Sequence, residues 1–113
     1  MENNPRVQRS KCEVLPLTLK KKWYDMIDSL DKFEEYRTSN RVKRMIEQWY
    51  GRSLMTKKNL VVEFFHGYSR GRRKMAFYAD PPISRSVAMH PEWGEPEQEH
   101  YVIPLSGCRI ELV

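Results

Sequence analysis

Leu60-Val61-Val62-Glu63-Phe64-Phe65 constrains the fold more than any other stretch of this chain. It is β-branched and aromatic at both alternating positions, so a strand built from it has no face suited to water and belongs in the middle of a sheet covered on both sides. Glu63 is the one charge inside it. Gly67 to Gly71 then reads as a turn, and Arg72-Arg73-Lys74-Met75-Ala76-Phe77-Tyr78 as the returning strand of a hairpin that Pro81-Pro82 closes.

The remaining elements are read from periodicity. Glu13 to Leu19 predicts a short strand, placed at an edge because Pro16 has no N–H for a ladder. Leu19, Trp23, Met26, Ile27 and Leu30 recur at the spacing of a helix with one buried face, with Thr18 as its N-cap. Phe33 to Arg37 alternates as a strand, with Phe33, Glu35 and Arg37 on one face and Glu34 and Tyr36 on the other. Asn40 then caps a second helix, with Val42, Met45, Ile46, Trp49 and Tyr50 inward and Arg41, Lys43, Arg44 and Glu47 outward; Gly51 is expected to end it. Met89 to Glu99 has loop composition with Trp93 as an anchor, and Tyr101 to Leu105 and Cys108 to Leu112 read as a last hairpin around Ser106-Gly107.

This order supplies too few helices to cover both faces of a parallel sheet. It predicts an α+β fold: a small β-barrel of about five to six strands with two α-helices packed outside it or at one end. A length of 113 residues with 40% hydrophobic content suits one domain with one modest core, expected over residues 13–113 after a polar N-terminal extension, residues 1–12.

Several chemistries find no support. Cys12 and Cys108 have no close partner in sequence and read as thiols of a reducing compartment. His66, His90 and His100 lack metal-ligand spacing, so neither a metal nor another cofactor is expected. The chain has no glycine-rich phosphate loop and no Gly-x-Ser-x-Gly elbow, which argues against nucleotide-triphosphate hydrolysis and serine-hydrolase chemistry. No stretch approaches the roughly 20 apolar residues of a membrane span, and the expected location is the cytoplasm.

Charge is unevenly distributed. Residues 41–74 carry ten Lys/Arg against two Asp/Glu, whereas residues 75–113 carry two against six. A basic middle segment attracts phosphate if its side chains share a face, and is otherwise a solvated surface. Aromatics are interleaved with these cations, the pattern by which unpaired bases are stacked while Arg and Lys track the backbone. Tyr68, Arg70, Arg72 and Arg73, at the hairpin tip, are the candidates for RNA contact, while Trp49 and Tyr50 belong to the helix core by their spacing.

Lys32, Glu35 and Arg37 form a second constellation, cation, carboxylate and cation at the entry and on one face of a strand. In a concave mouth, Arg37 can make a bidentate contact with phosphate, Lys32 can supply a point charge or a base, and Glu35 can orient either or accept from a nucleobase amino group. The alternative is an Arg37–Glu35 ion pair closing one end of the barrel, with Lys32 in solvent.

The same stretch resembles the signature of the ASCH family, a branch of the PUA-like barrels, which runs approximately G-x-K-x-x-E-x-R after the first helix. Here Leu30 stands in the glycine position, with Lys32, Glu35 and Arg37 after it at matching spacing; Leu15 to Lys20, Trp23 to Ile27, Glu92-Trp93-Gly94 and Tyr101-Val102-Ile103 are similar to small bacterial and phage members. The resemblance implies a PUA-like barrel and binding of RNA or a nucleotide-like ligand. It also implies an alternative, hydrolysis of RNA or of acylated nucleosides. The small amidohydrolases of that kind use a Lys, a Thr and a Glu: Lys32 matches the first, Glu35 stands where the second would be, and Glu92 or Glu95 is the candidate for the third. In an enzyme Lys32 and Glu35 would be catalytic. A third reading is a protein-interaction module using the acidic Glu92 to Glu99 loop and exposed strand edges.

Overall fold

The computed structural model describes residues 4–68 and 71–113. Among these, seven strands and two α-helices form a curled, mixed half-barrel, the small α+β architecture that the element order implies. The elements are β1 (Arg6–Val7), β2 (Cys12–Leu19), α1 (Lys21–Asp28), β3 (Glu34–Arg37), α2 (Asn40–Thr56), β4 (Asn59–His66), β5 (Lys74–Ala79), β6 (Ile83–Arg85) and β7 (His100–Leu112). Their order across the sheet is β1-β7-β5-β4-β2, with β3 and β6 also paired to β7.

β4 is central, between parallel β2 and antiparallel β5. Its Leu60, Val62 and Phe64 face the main core with Leu15, Leu17 and Leu19 of β2, Tyr24 and Ile27 of α1, Ile46 and Trp49 of α2, and Phe77 of β5. Val61 points the other way, into a smaller cluster with Cys12, Ala76 and Ile110. Glu63 shares that second face and is buried, where Arg9 clasps it with two hydrogen bonds at 3.0 and 2.9 Å. Residues before Glu13 thus take part in the sheet: β1 pairs in parallel with the end of β7, and Arg9 N–H donates to the Val113 carbonyl. Pro16 lies on β2, at the end of the sheet order, so its missing N–H costs no ladder bond on the open side.

Several expectations are corrected. Residues 100–112 form one strand, not a hairpin; Gly107, at φ +79°, marks a bend instead of a reversal. The first half of β7 lies between β3 and β6 and the second half between β5 and β1, so a single strand ties two parts of the sheet together. Gly51 does not end α2, which runs to Thr56 and stops where Lys57 turns left-handed at φ +59°. Its cap is Ser39, one residue before Asn40, whose Oγ accepts from Val42 N–H. Leu19 completes β2 instead of opening α1, and Lys20 replaces Thr18 at the cap position, without a side-chain capping bond.

The end of α1 positions Lys32. Asp31 N–H donates to the Met26 carbonyl and Leu30 N–H to the Ile27 carbonyl, the paired bonds of a Schellman turn. That turn needs a left-handed residue, and Leu30 fills the place at φ +65°, pointing outward and 60% exposed instead of joining the buried stripe. A Cβ in that region costs about 1 kcal/mol. The turn reverses the chain and delivers Lys32 beneath α1.

Candidate functional site

Lys32 and Glu35 are both buried. Lys32 Nζ donates to Glu35 Oε1 at 3.0 Å and lies 4.5 Å from the centre of the Trp23 ring and 5.3 Å from that of Tyr36. Its ammonium is therefore held by one carboxylate and two aromatic faces. Arg37 approaches the same carboxylate from the other side, Nε and Nη2 reaching Oε2 at 3.1 and 2.8 Å, and Nη2 also donates to the Thr18 carbonyl at 3.1 Å. The three side chains do come together, with Glu35 bridging the two cations. Lys32 is neither in solvent nor at the ligand-accessible surface.

Glu35 and Arg37 line a cleft of about 600 Å³ with Thr18, Leu19, Lys20, Trp23, Tyr36, Thr38, Gly67 and Tyr68. Its walls are the end of β2, the start of α1, β3 and the turn after β4. β2 and β3 do not pair with each other, and the Arg37–Thr18 bond bridges them across this opening. Trp23 is wedged in place: Gly94 sits so close that a Cβ there would lie 2.6 Å from the indole. Tyr68 is 87% exposed at the rim, and Lys20 is exposed beside it.

A bidentate Arg37–phosphate contact does not fit this geometry. Nε and Nη2 are already committed to Glu35 and Thr18, which leaves Nη1 with two N–H donors and no partner among the described residues. Among the hairpin-tip candidates that are described, Tyr68 alone reaches the cleft. Arg72 donates to the Gly67 carbonyl at 2.7 Å and covers the Phe65 ring, so it shapes the turn. Arg73 pairs with Asp25 at 3.4 Å, and Arg70 lies outside the described residues.

The late-loop carboxylates are elsewhere. Glu92 is exposed and contacts His90. Glu95 is fully buried: its Oε1 accepts from the backbone N–H groups of Met89 and His90, and its Oε2 from Arg85 Nε and from His100 Nε2, each at 2.6 Å. Arg85 Nη2 also donates to Glu34, which accepts from Tyr36 OH in turn. Burial alone pushes the Glu95 carboxyl up, but Arg85, His100 and the two N–H groups outweigh it and hold it at about 2. Burial and the bond to Glu34 push the Tyr36 phenol well above its ordinary value. β3 thus carries two polar clusters, Glu35 and Arg37 toward the cleft and Glu34 toward Arg85.

Alternation along residues 33–37 separates these two sets, but nothing in sequence ties Arg85, Glu95 and His100 together. Thr18, Lys20, Trp23, Thr38 and Gly67 also escape sequence reasoning, because the cleft arises where β2, β3 and the β4–β5 turn converge in space. Among the described residues no cluster of three or more His, Cys, Asp or Glu is placed to hold a metal, and no helix is long and apolar enough to cross a membrane. Comparison with known protein families, with curated proteins and with solved structures finds no match to this chain.

Proposed function

We propose that this protein binds single-stranded RNA or a nucleotide-like ligand in the cleft between β2 and β3. The observation that carries the reading is Arg37, held rigid by Glu35 and Thr18 while its Nη1 has no partner among the described residues, at a cleft that Lys20 and Tyr68 flank. A pre-ordered guanidinium loses little entropy when it meets a phosphate or carbonyl oxygen, and an exposed tyrosine offers a face for a base. Arg41 and Arg44 on α2, with Lys57 and Lys58 beyond it, are exposed cations able to attract a polyanion from a distance. The likeness of Lys32, Glu35 and Arg37 to the ASCH signature favours the same ligand class.

Lys32 then acts as a support that fixes Glu35, and through it Arg37. Hydrolysis is the weaker reading, because Lys32 lies behind Glu35 and neither Glu92 nor Glu95 lines the cleft.

Binding of a labelled single-stranded RNA, measured by fluorescence anisotropy across a salt series, tests this. Affinity is expected to fall steeply as salt rises, and Arg37→Ala to weaken it about tenfold or more, the loss of a hydrogen bond from a charged donor. Binding that ignores salt and tolerates Arg37→Ala would refute the proposal.

A further inference from the structure

The cleft is lopsided in its hydrogen-bonding capacity. Four backbone carbonyls around it each accept a hydrogen bond within the protein: Thr18 from Arg37, Leu19 from Gly67 N–H, Lys20 from Tyr24 N–H, and Gly67 from Arg72. Glu35, the one carboxylate in the lining, receives three hydrogen bonds from Lys32 and Arg37. The charged or fixed donors are in the opposite condition. Arg37 Nη1 and Lys20 Nζ have no protein partner among the described residues. The hydroxyls of Thr18, Thr38 and Tyr68 rotate to serve in either sense and do not alter the balance.

From this imbalance we infer that the cleft selects bases bearing an oxo group, uracil and the 6-oxopurines, over the amino-bearing cytosine and adenine. The inference rests on the RNA-binding reading above and adds base preference to it. Uracil presents a carbonyl at position 4 where cytosine presents an amino group, and guanine or hypoxanthine presents one at position 6 where adenine presents an amino group. A carbonyl accepts from Arg37 Nη1. An amino group placed there brings two donors together and leaves both without an acceptor, and a desolvated donor without a partner is penalised. Glu35 would be the natural acceptor for an amino group, but it is only 5% exposed, and Lys32 and Arg37 fill three of its roughly four acceptor sites. Tyr68 contributes stacking, which every base satisfies, so discrimination falls to Arg37.

The test is a comparison of octauridylate with octacytidylate, and of octaadenylate with the same oligomer carrying one inosine, at one fixed salt concentration. Octauridylate is expected to bind about tenfold tighter than octacytidylate, and the inosine to strengthen octaadenylate binding. Arg37→Lys keeps a cation beside Glu35 but has no Nη1, and is expected to bring the uridine-to-cytidine ratio close to one; its circular dichroism and melting temperature check that it folds. Equal binding of all four oligomers by the wild-type protein overturns the base preference while leaving RNA binding standing. Binding by none of them at low salt overturns the function and the preference together.

Discussion

Glu35 sits between two cations of unequal accessibility, and that inequality decides what its replacement does. Glu35→Ala leaves the Lys32 ammonium buried with only aromatic faces around it, and leaves Arg37 without its main tether. Breaking a buried pair in this way is expected to cost about 3–5 kcal/mol. Lys32→Met removes the buried charge and retains much of the volume, while Glu35 keeps its bonds to Arg37, so the loss should be smaller. Chemical denaturation of the two variants measures the difference, and equal losses would show that an uncompensated Lys32 charge does not set the cost of losing Glu35. Leu30 belongs to the same scale. Its left-handed conformation is the backbone state that glycine supplies without a Cβ penalty.

At the level of elements, α2 shows how local signals lose to tertiary ones. Gly51 reads as a stop, yet the helix continues because its last turns are tied to β2: Trp49 Nε1 donates to the Glu13 carbonyl at 2.7 Å, and Arg52 and Thr56 reach the Glu13 carboxylate at 3.2 Å. Gly51 is therefore mid-helix, with nothing within 4 Å of the place a Cβ would take. Gly51→Ala is expected to stabilise the protein by about 1 kcal/mol, read as a rise in melting temperature; a fall would mean the site is more crowded than the structure has it. A strand apolar on both faces, such as β4, is legible from sequence because burial on both sides leaves a mark in composition. The single strand β7 is not. Ser106-Gly107 suits a tight turn and a bend equally well, and what separates them is which distant strands are available to pair with each half. The cleft divides in the same way. Lys32, Glu35 and Arg37 lie within one short stretch and could be grouped, whereas Lys20, Trp23 and Tyr68 join them only through the fold.

Across the whole molecule, the Glu95 cluster links β3, β6, the loop before β7 and the first residue of β7. The pH dependence of stability should carry its mark. The Glu95 carboxyl titrates at about 2 when folded against an ordinary 4.5, so its contribution is complete above about pH 4.5 and is lost as pH falls toward 2. A shift of that size corresponds to about 3 kcal/mol. Glu95→Gln should be less stable near neutrality and should flatten this part of the acid limb in urea titrations; an unchanged acid limb would exclude Glu95 as its source. The long strand β7 has a different consequence, one of timing. It pairs with β1, β3, β5 and β6, and all four precede it in the chain. During vectorial synthesis these strands leave the ribosome before the partner they share, with their pairing edges open, and contacts so distant in sequence form slowly. Until residues 100–112 emerge, those edges stay open, the condition in which nascent chains are prone to pair with the wrong partner.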